Sequence, residues 1–257
     1  MNTNHRSDEL EAWLDTPPGR YLLAWEQAQL DRVVVDLFGF HALQLGLPEL
    51  EALRSNRMPH RWLASDSVAG LRAVTLHCDA DALPFPERSI DLVVLPHTLE
   101  LARDPHVALA EVERVLVPEG RVVILGFNPA SLWGLRQRCG RVRQRLGGRS
   151  PLYLPRPGDF IGYWRLRDWL RLLSFEVEGG RFGGYRPPLA SDGWLARYAW
   201  MDRIGDRWWP VLGAVYMLVA VKRVRGMRLV GLARRERVTA PAAPAVVANQ
   251  HSHHEKT

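Results

Sequence analysis

The chain has 257 residues, 47% of them hydrophobic and 24% charged, with a formal net charge of +6 and a pI near 9.8. That length suits one α/β domain with short appendages, and the apolar content is enough for a real core. Two cysteines, Cys78 and Cys139, exclude a disulfide framework and a structural zinc cluster, and they point to a reducing, cytoplasmic setting.

The positive balance admits an anionic partner. All basic residues but Lys222 and Lys256 are arginine, a bias that genome base composition can produce as readily as function. Nucleic acid is therefore compatible with the charge but not favoured, because no aromatic stacking motif accompanies the arginines. The opening MNTNHRSDELEAWLD has no apolar stretch of the kind a secretory leader carries. The longest apolar run, residues 210–221, is shorter than the roughly 20 residues a membrane span needs, so no transmembrane segment is expected. That run reads as a core strand, although its Trp208-Trp209 edge is of a kind that meets membrane surfaces.

Pro17-Pro18-Gly19 reads as a breaker before a helix over residues 21–37, with Leu23, Leu30, Val34 and Leu37 near one face. Short strands are expected at 41–45, 61–64 and 73–78. Another covers 90–95 and ends before Pro96, which cannot donate to a ladder. Asp104-Pro105 supplies an N-cap and a proline for the first helical turn. Leu109, Val112 and Leu116 then keep helical spacing until Pro118-Glu119-Gly120 stops the helix, and 122–125 is the next strand. Strand, helix, strand, with strands apolar on both faces, marks a parallel sheet with a right-handed crossover. The expected fold class is α/β with a doubly wound, mostly parallel sheet.

Asn128-Pro129 repeats the cap-and-proline device and opens a helix that Gly147-Gly148 ends. Its Leu132, Leu135, Cys139, Val142 and Leu146 are spaced 3, 4, 3, 4. This stripe is expected to pack on the domain, leaving Arg136, Arg138, Arg141, Arg143 and Arg145 to face water or an anionic ligand. No acidic residue lies between Glu119 and Asp159. A helix at 166–173 and strands near 175–178 and 215–221 complete a domain expected to span 1–238. It would carry a helical lead-in over 1–40 and a basic helical insertion over 129–160. The low-complexity residues 239–257 are expected to be disordered. His251, His253 and His254 there read as solvated rather than metal-binding, and no metal site is expected.

In an open parallel sheet, ligands bind beyond the carboxyl ends of the strands. Three such ends can be read: Cys78-Asp79-Ala80, Leu95-Pro96-His97 and Gly126-Phe127-Asn128. A carboxylate there either accepts from an amino or hydroxyl group of a ligand or caps its own turn, and the residue types leave both readings open.

A specific pattern runs between Cys78 and Ile124. Asp79-Ala80-Asp81-Ala82-Leu83-Pro84-Phe85, then Ser89-Ile90-Asp91, then Arg114-Val115-Leu116-Val117-Pro118-Glu119-Gly120 stand in order. This resembles the type-11 branch of class I S-adenosylmethionine-dependent methyltransferases, with its acid-Ala-acid-x-Leu-Pro-Phe, Ser-aromatic-Asp and Arg-Val-Leu-x-Pro-Gly-Gly stretches. The resemblance implies a Rossmann-like methyltransferase fold, S-adenosyl-L-methionine as cofactor, and methyl transfer to an unidentified acceptor that is compatible with negative charge. It also implies that Asp79 accepts the adenine amino group, that the Ala80 backbone meets the ring, and that Leu95 is among the cofactor-binding residues.

The family's first strand ends in an acid-x-Gly-x-Gly-x-Gly loop, whose glycines let the backbone approach the methionyl part of the cofactor. One frame here, VVVDLFGFHA, keeps the acid at Asp36 but has Phe38 and Phe40 where glycines belong. The other, HALQLGLPEL, keeps Gly46 but has Gln44 for the acid and Pro48 for the second glycine. The second frame is preferred, because Gly46 precedes the next strand by a normal helix-plus-loop distance. His97 is a candidate general base at the ligand edge, with Glu100 beside it, or else a helix-entry residue. Methyl transfer needs only a nucleophile held in line, so no base is obligatory. The competing functions are a non-catalytic binding protein that kept the fold, and an RNA-associated protein using the arginine helix.

Overall fold

The computed structural model describes residues 3–66, 74–147, 152–155 and 160–223. Seven strands form one sheet: β1 (His41–Leu45), β2 (His60–Ser65), β3 (Leu76–His77), β4 (Ile90–Pro96), β5 (Leu116–Phe127), β6 (Phe175–Gly183) and β7 (Val215–Lys222). Their order is β3-β2-β1-β4-β5-β7-β6, with β7 antiparallel to both neighbours and the other pairings parallel. This is the expected doubly wound α/β class.

Period-two alternation divides the strand side chains between two cores. Val93 and Leu95 of β4, with Val122 and Ile124 of β5, pack under α4 (Pro105–Val115) and α6 (Tyr163–Leu172), whose Leu109, Val112, Leu166 and Leu170 are buried. Leu92, Val94, Val123 and Leu125 point the other way, onto α1 (Thr3–Leu14) and α2 (Pro17–Val34) through Leu10, Leu14, Leu22 and Leu30. Each such leucine contributes about 1.5–3 kcal/mol by leaving water.

Several boundaries differ from the sequence expectation. Pro17-Pro18 opens α2 rather than preceding it, because a proline in the first turn lacks only a donor that would have no partner there. Thr16 caps the helix by accepting from the Gly19 N–H at 3.4 Å. A Cβ at Gly19 would lie 2.4 Å from the Trp13 carbonyl oxygen, so glycine is what lets α1 and α2 approach. Pro96 belongs to β4 and pairs with Leu125, while β1 pairs no further than Val94, so the missing N–H leaves no ladder bond unmade. Leu116 begins β5 rather than ending α4, and Pro118-Glu119-Gly120 is an irregular stretch inside the strand, with Glu119 left-handed at φ 64°.

Asp104 caps α4 as expected, accepting from the His106 N–H at 2.8 Å. Asn128-Pro129, by contrast, makes a turn, and the cap of α5 (Leu132–Arg145) is Ser131, whose hydroxyl accepts from the Gly134 N–H at 3.0 Å. The apolar stripe of α5 points away from the domain; the helix docks through Trp133, Gly134 and Gln137 instead. Between β6 and β7 lie α7 (Asp192–Arg197), α8 (Trp200–Trp208) and a 3-10 turn at Pro210–Leu212. Met1–Val224 is one compact unit, and Arg225–Thr257 is a second that, like the expected tail at 239–257, lies outside the described residues. Among the described residues no helix is long and apolar enough to cross a membrane.

Candidate functional site

A cavity of about 200 Å³ opens beyond the carboxyl ends of β1, β2 and β3. Its wall brings together Gly46 after β1, Ser65 and Asp66 at the end of β2, and Cys78-Asp79-Ala80-Asp81 after β3. Thr98, Leu101 and Arg103, in α3 (Thr98–Leu101) and the loop behind it, close the side below β4. Asp79, Ala80 and Gly46, all expected at the cofactor, therefore share one cavity. Leu95 does not line it. Alternation turns that side chain into the core beneath α4 and α6, where it is buried.

One acid, Asp66, was not singled out in the sequence. Asp66 stands about 20 residues beyond Gly46, the spacing at which a carboxylate meets ribose hydroxyls in nucleotide-binding sheets. Asp81 has a buried Oδ1 with no hydrogen-bond partner among the described residues. Burial first, then the Asp104 and Asp79 carboxylates, hold Asp81 above the ordinary carboxylate range. Burial also pushes the Cys78 thiol up to about 11, which keeps it protonated and non-nucleophilic near neutral pH.

The loop after β1 follows the second frame, because Gly46 ends the strand and Asp36 lies before its other end. Gly46 has φ +77°, a conformation that favours glycine, and its N–H donates to the Ala64 carbonyl at 2.7 Å. The buried Gln44 explains why an amide stands where the family has an acid. Its Nε2 donates to the carbonyls of Gly46 (3.2 Å), Leu47 (3.0 Å) and Leu50 (2.7 Å), and its Oε1 accepts from the Ala52 N–H at 3.0 Å. A carboxylate could accept from Ala52 but would face three carbonyl oxygens with nothing to donate. Gln44 thus clamps the loop after β1.

His97 lies apart from the cavity, fully enclosed. Its Nδ1 bonds Glu100 Oε2 and its Nε2 bonds Glu26 Oε1, each at 2.9 Å, and the three side chains are almost wholly buried. Glu100 Oε1 accepts from the Phe127 N–H at 2.7 Å, while Glu26 Oε2 has no partner among the described residues. Burial alone would lower the His97 pKa, but the Glu26 and Glu100 carboxylates outweigh it and raise the imidazole to about 10. A protonated ring with both nitrogens bonded cannot take a proton, so the general-base expectation fails on geometry and charge together. The triad instead ties α2 to the ends of β4 and β5, holding His97 at φ 55° where β4 turns into α3.

The methyltransferase-domain family model matches residues 55–124. The uncharacterized protein YafS of Escherichia coli K12 is 32% identical over 215 residues, which are 83% of this chain and 81% of that protein. The ubiquinone/menaquinone biosynthesis C-methyltransferase UbiE of Paraburkholderia phymatum is 41% identical over 59 residues, 23% of this chain and 24% of that protein. In fold, the chain is similar to an S-adenosylmethionine-dependent methyltransferase of Thermotoga maritima, with a TM-score of 0.60 at 16% identity, covering 86% of this chain and 100% of the other. With the cavity at the carboxyl edge of a doubly wound sheet, a methyltransferase-domain match over residues 55–124 and 32% identity to YafS along most of both chains, the chain belongs to one family with YafS and has the class I methyltransferase fold.

Proposed function

We propose that the protein binds S-adenosylmethionine in the cavity at the ends of β1, β2 and β3 and transfers its methyl group to an acceptor. The observation that carries this is the convergence of Gly46, Asp66 and Asp79-Ala80 on one wall. The residues fit the group. Gly46 brings backbone without a Cβ to the cavity, and Asp81 offers a buried acceptor oxygen that has no partner within the described residues.

When bound, the cofactor supplies a methyl group activated by its attachment to a sulfonium. Asp79 would accept from the adenine amino group and the Ala80 backbone would meet the ring. Asp66 would accept from the ribose hydroxyls, and the turn at Gly46 would run beside the methionyl portion. Three carboxylates, Asp66, Asp79 and Asp81, against the single Arg103 make a wall suited to a cationic ligand. With His97 locked between two carboxylates, the chain contributes position rather than proton transfer, which is enough for an in-line displacement.

A non-catalytic binding protein on the same fold is the second reading, favoured by the Gln44 clamp in place of the loop acid. Tritium-labelled S-adenosylmethionine, incubated with the protein and extract from cells lacking it, separates the two. Protein-dependent label in extracted material supports transfer. Cofactor binding without any labelled product would put the non-catalytic reading in front.

A further inference from the structure

Helices α5 and α8 turn apolar faces to solvent. In α5, Leu132, Leu135, Val142 and Leu146 are 47–83% exposed, and Cys139 is exposed with them. At 3.6 residues per turn these five positions fall within about 80° of the helix circumference. The opposite side is the anchored one. Trp133 Nε1 donates to the Arg186 carbonyl at 2.7 Å, and Gln137 exchanges hydrogen bonds with the Leu154 backbone at 3.0 and 3.1 Å. Arg136 and Arg143 flank the stripe on one side, Arg138 and Arg145 on the other, and the helix holds no acid.

Helix α8 repeats the pattern with aromatics. Trp200, Ile204 and Trp208 keep i, i+4, i+8 spacing and are exposed, while Gly205 packs against the Tyr185 ring beneath. Asp202, also on the inner side, is bonded by the Tyr21 hydroxyl and paired with Arg186 at 2.8 Å. Trp209, Val211 and Leu212 extend the exposed surface. The two helices share supports. Arg186 accepts from Trp133 of α5 and pairs with Asp202 of α8, and Asn128 Nδ2 donates to the carbonyls of Val211 and Gly213 at 2.7 and 2.9 Å. Both segments spring from the edge where β5 ends and β7 begins, the edge that also carries the cavity.

Apolar faces of this extent call for an occupant. A second copy would set the arginine flanks of one α5 against those of the other. An RNA backbone would satisfy the arginines but leave the leucines and tryptophans in water. An anionic bilayer satisfies both, since aliphatic and indole side chains enter the headgroup boundary while flanking arginines reach the phosphates. We propose that α5 and the segment from Trp200 to Leu212 dock the protein on an anionic lipid bilayer as a peripheral protein.

The test is co-sedimentation of the full chain with phosphatidylcholine vesicles containing phosphatidylglycerol, against phosphatidylcholine alone. Binding to the anionic vesicles, weakened by salt, is expected. Leu135→Asp with Val142→Asp should lower partitioning at least about tenfold, since both side chains leave the bilayer, and should not alter cofactor binding. Arg138→Gln with Arg145→Gln, which disturbs no apolar contact, should reduce the preference for anionic over neutral lipid even where the aspartate variant folds poorly. Absence of binding to anionic vesicles would overturn the proposal, as would binding unchanged by both variants. So would tight binding of an RNA oligonucleotide without vesicle binding, or a dimer in sedimentation equilibrium that Leu135→Asp dissociates.

Discussion

Replacing His97 with alanine should destabilise the protein severely, although the residue does not line the cavity. The substitution leaves Glu26 and Glu100 facing each other in a site where His97, Glu26 and Glu100 are all almost fully buried. Removing one partner of such a buried charged set costs about 3–5 kcal/mol. For a domain of this size, about 2–4 °C of melting temperature corresponds to each kcal/mol, so the transition should fall by roughly 6–20 °C. The pH dependence gives a signature that simple loss of packing would not. A folded-state pKa raised from 6.5 to about 10 means the His97 contribution is complete below pH 6.5 and is lost as pH rises toward 10. Burial also raises the Glu100 pKa, which works in the same direction. Wild-type stability, followed by urea unfolding across that range, should therefore decline toward alkaline pH, and the gap to His97→Ala should narrow. A variant within about 1 kcal/mol of wild type near neutral pH, or one with the same alkaline slope, would refute the buried-ion account.

Gln44→Ala should cost at least about 1–3 kcal/mol by leaving buried backbone groups of the loop unsatisfied, read as a lower urea midpoint. Gln44→Glu, which restores an acid, should weaken cofactor affinity rather than improve it, because the carboxylate would face the carbonyls of Gly46, Leu47 and Leu50; calorimetry on the folded variant checks this. Gly46→Ala should destabilise by about 1–2 kcal/mol through its left-handed backbone, visible as a lower melting temperature.

β1, β4 and β7 were legible because apolar residues dominate each of them, interrupted only by Gln44 in β1 and Asp91 in β4, and the strands lie where those runs stand. The position of Asp79-Ala80 and Gly46 at strand ends was legible too, since Asp79-Ala80 sits inside a specific motif and Gly46 keeps its place after β1, whereas Asp66 stands in no motif. The Leu95 side chain lies off the cavity because nearness to a strand end says nothing of which face a side chain takes. In α5 the periodicity was real, but spacing reports a stripe and not its direction. The docking face was hidden because its anchors are one tryptophan, a glycine and an amide that bonds backbone. The Glu26 side of the Glu26–His97–Glu100 triad was out of reach, since Glu26 of α2 lies 71 residues from His97 at the start of α3. The Trp-Arg pattern of α7 and α8 carried too few buried residues for helical periodicity to stand out.

Calorimetric titration with S-adenosylmethionine decides whether the wall bearing Gly46, Asp66 and Asp79 is a cofactor site. The wild-type protein should bind saturably. Asp79→Ala, folded by circular dichroism, should bind about tenfold to a hundredfold more weakly, the loss expected for a hydrogen bond to a charged group. No binding heat with the wild-type protein, or an unchanged affinity in folded Asp79→Ala, would contradict the account.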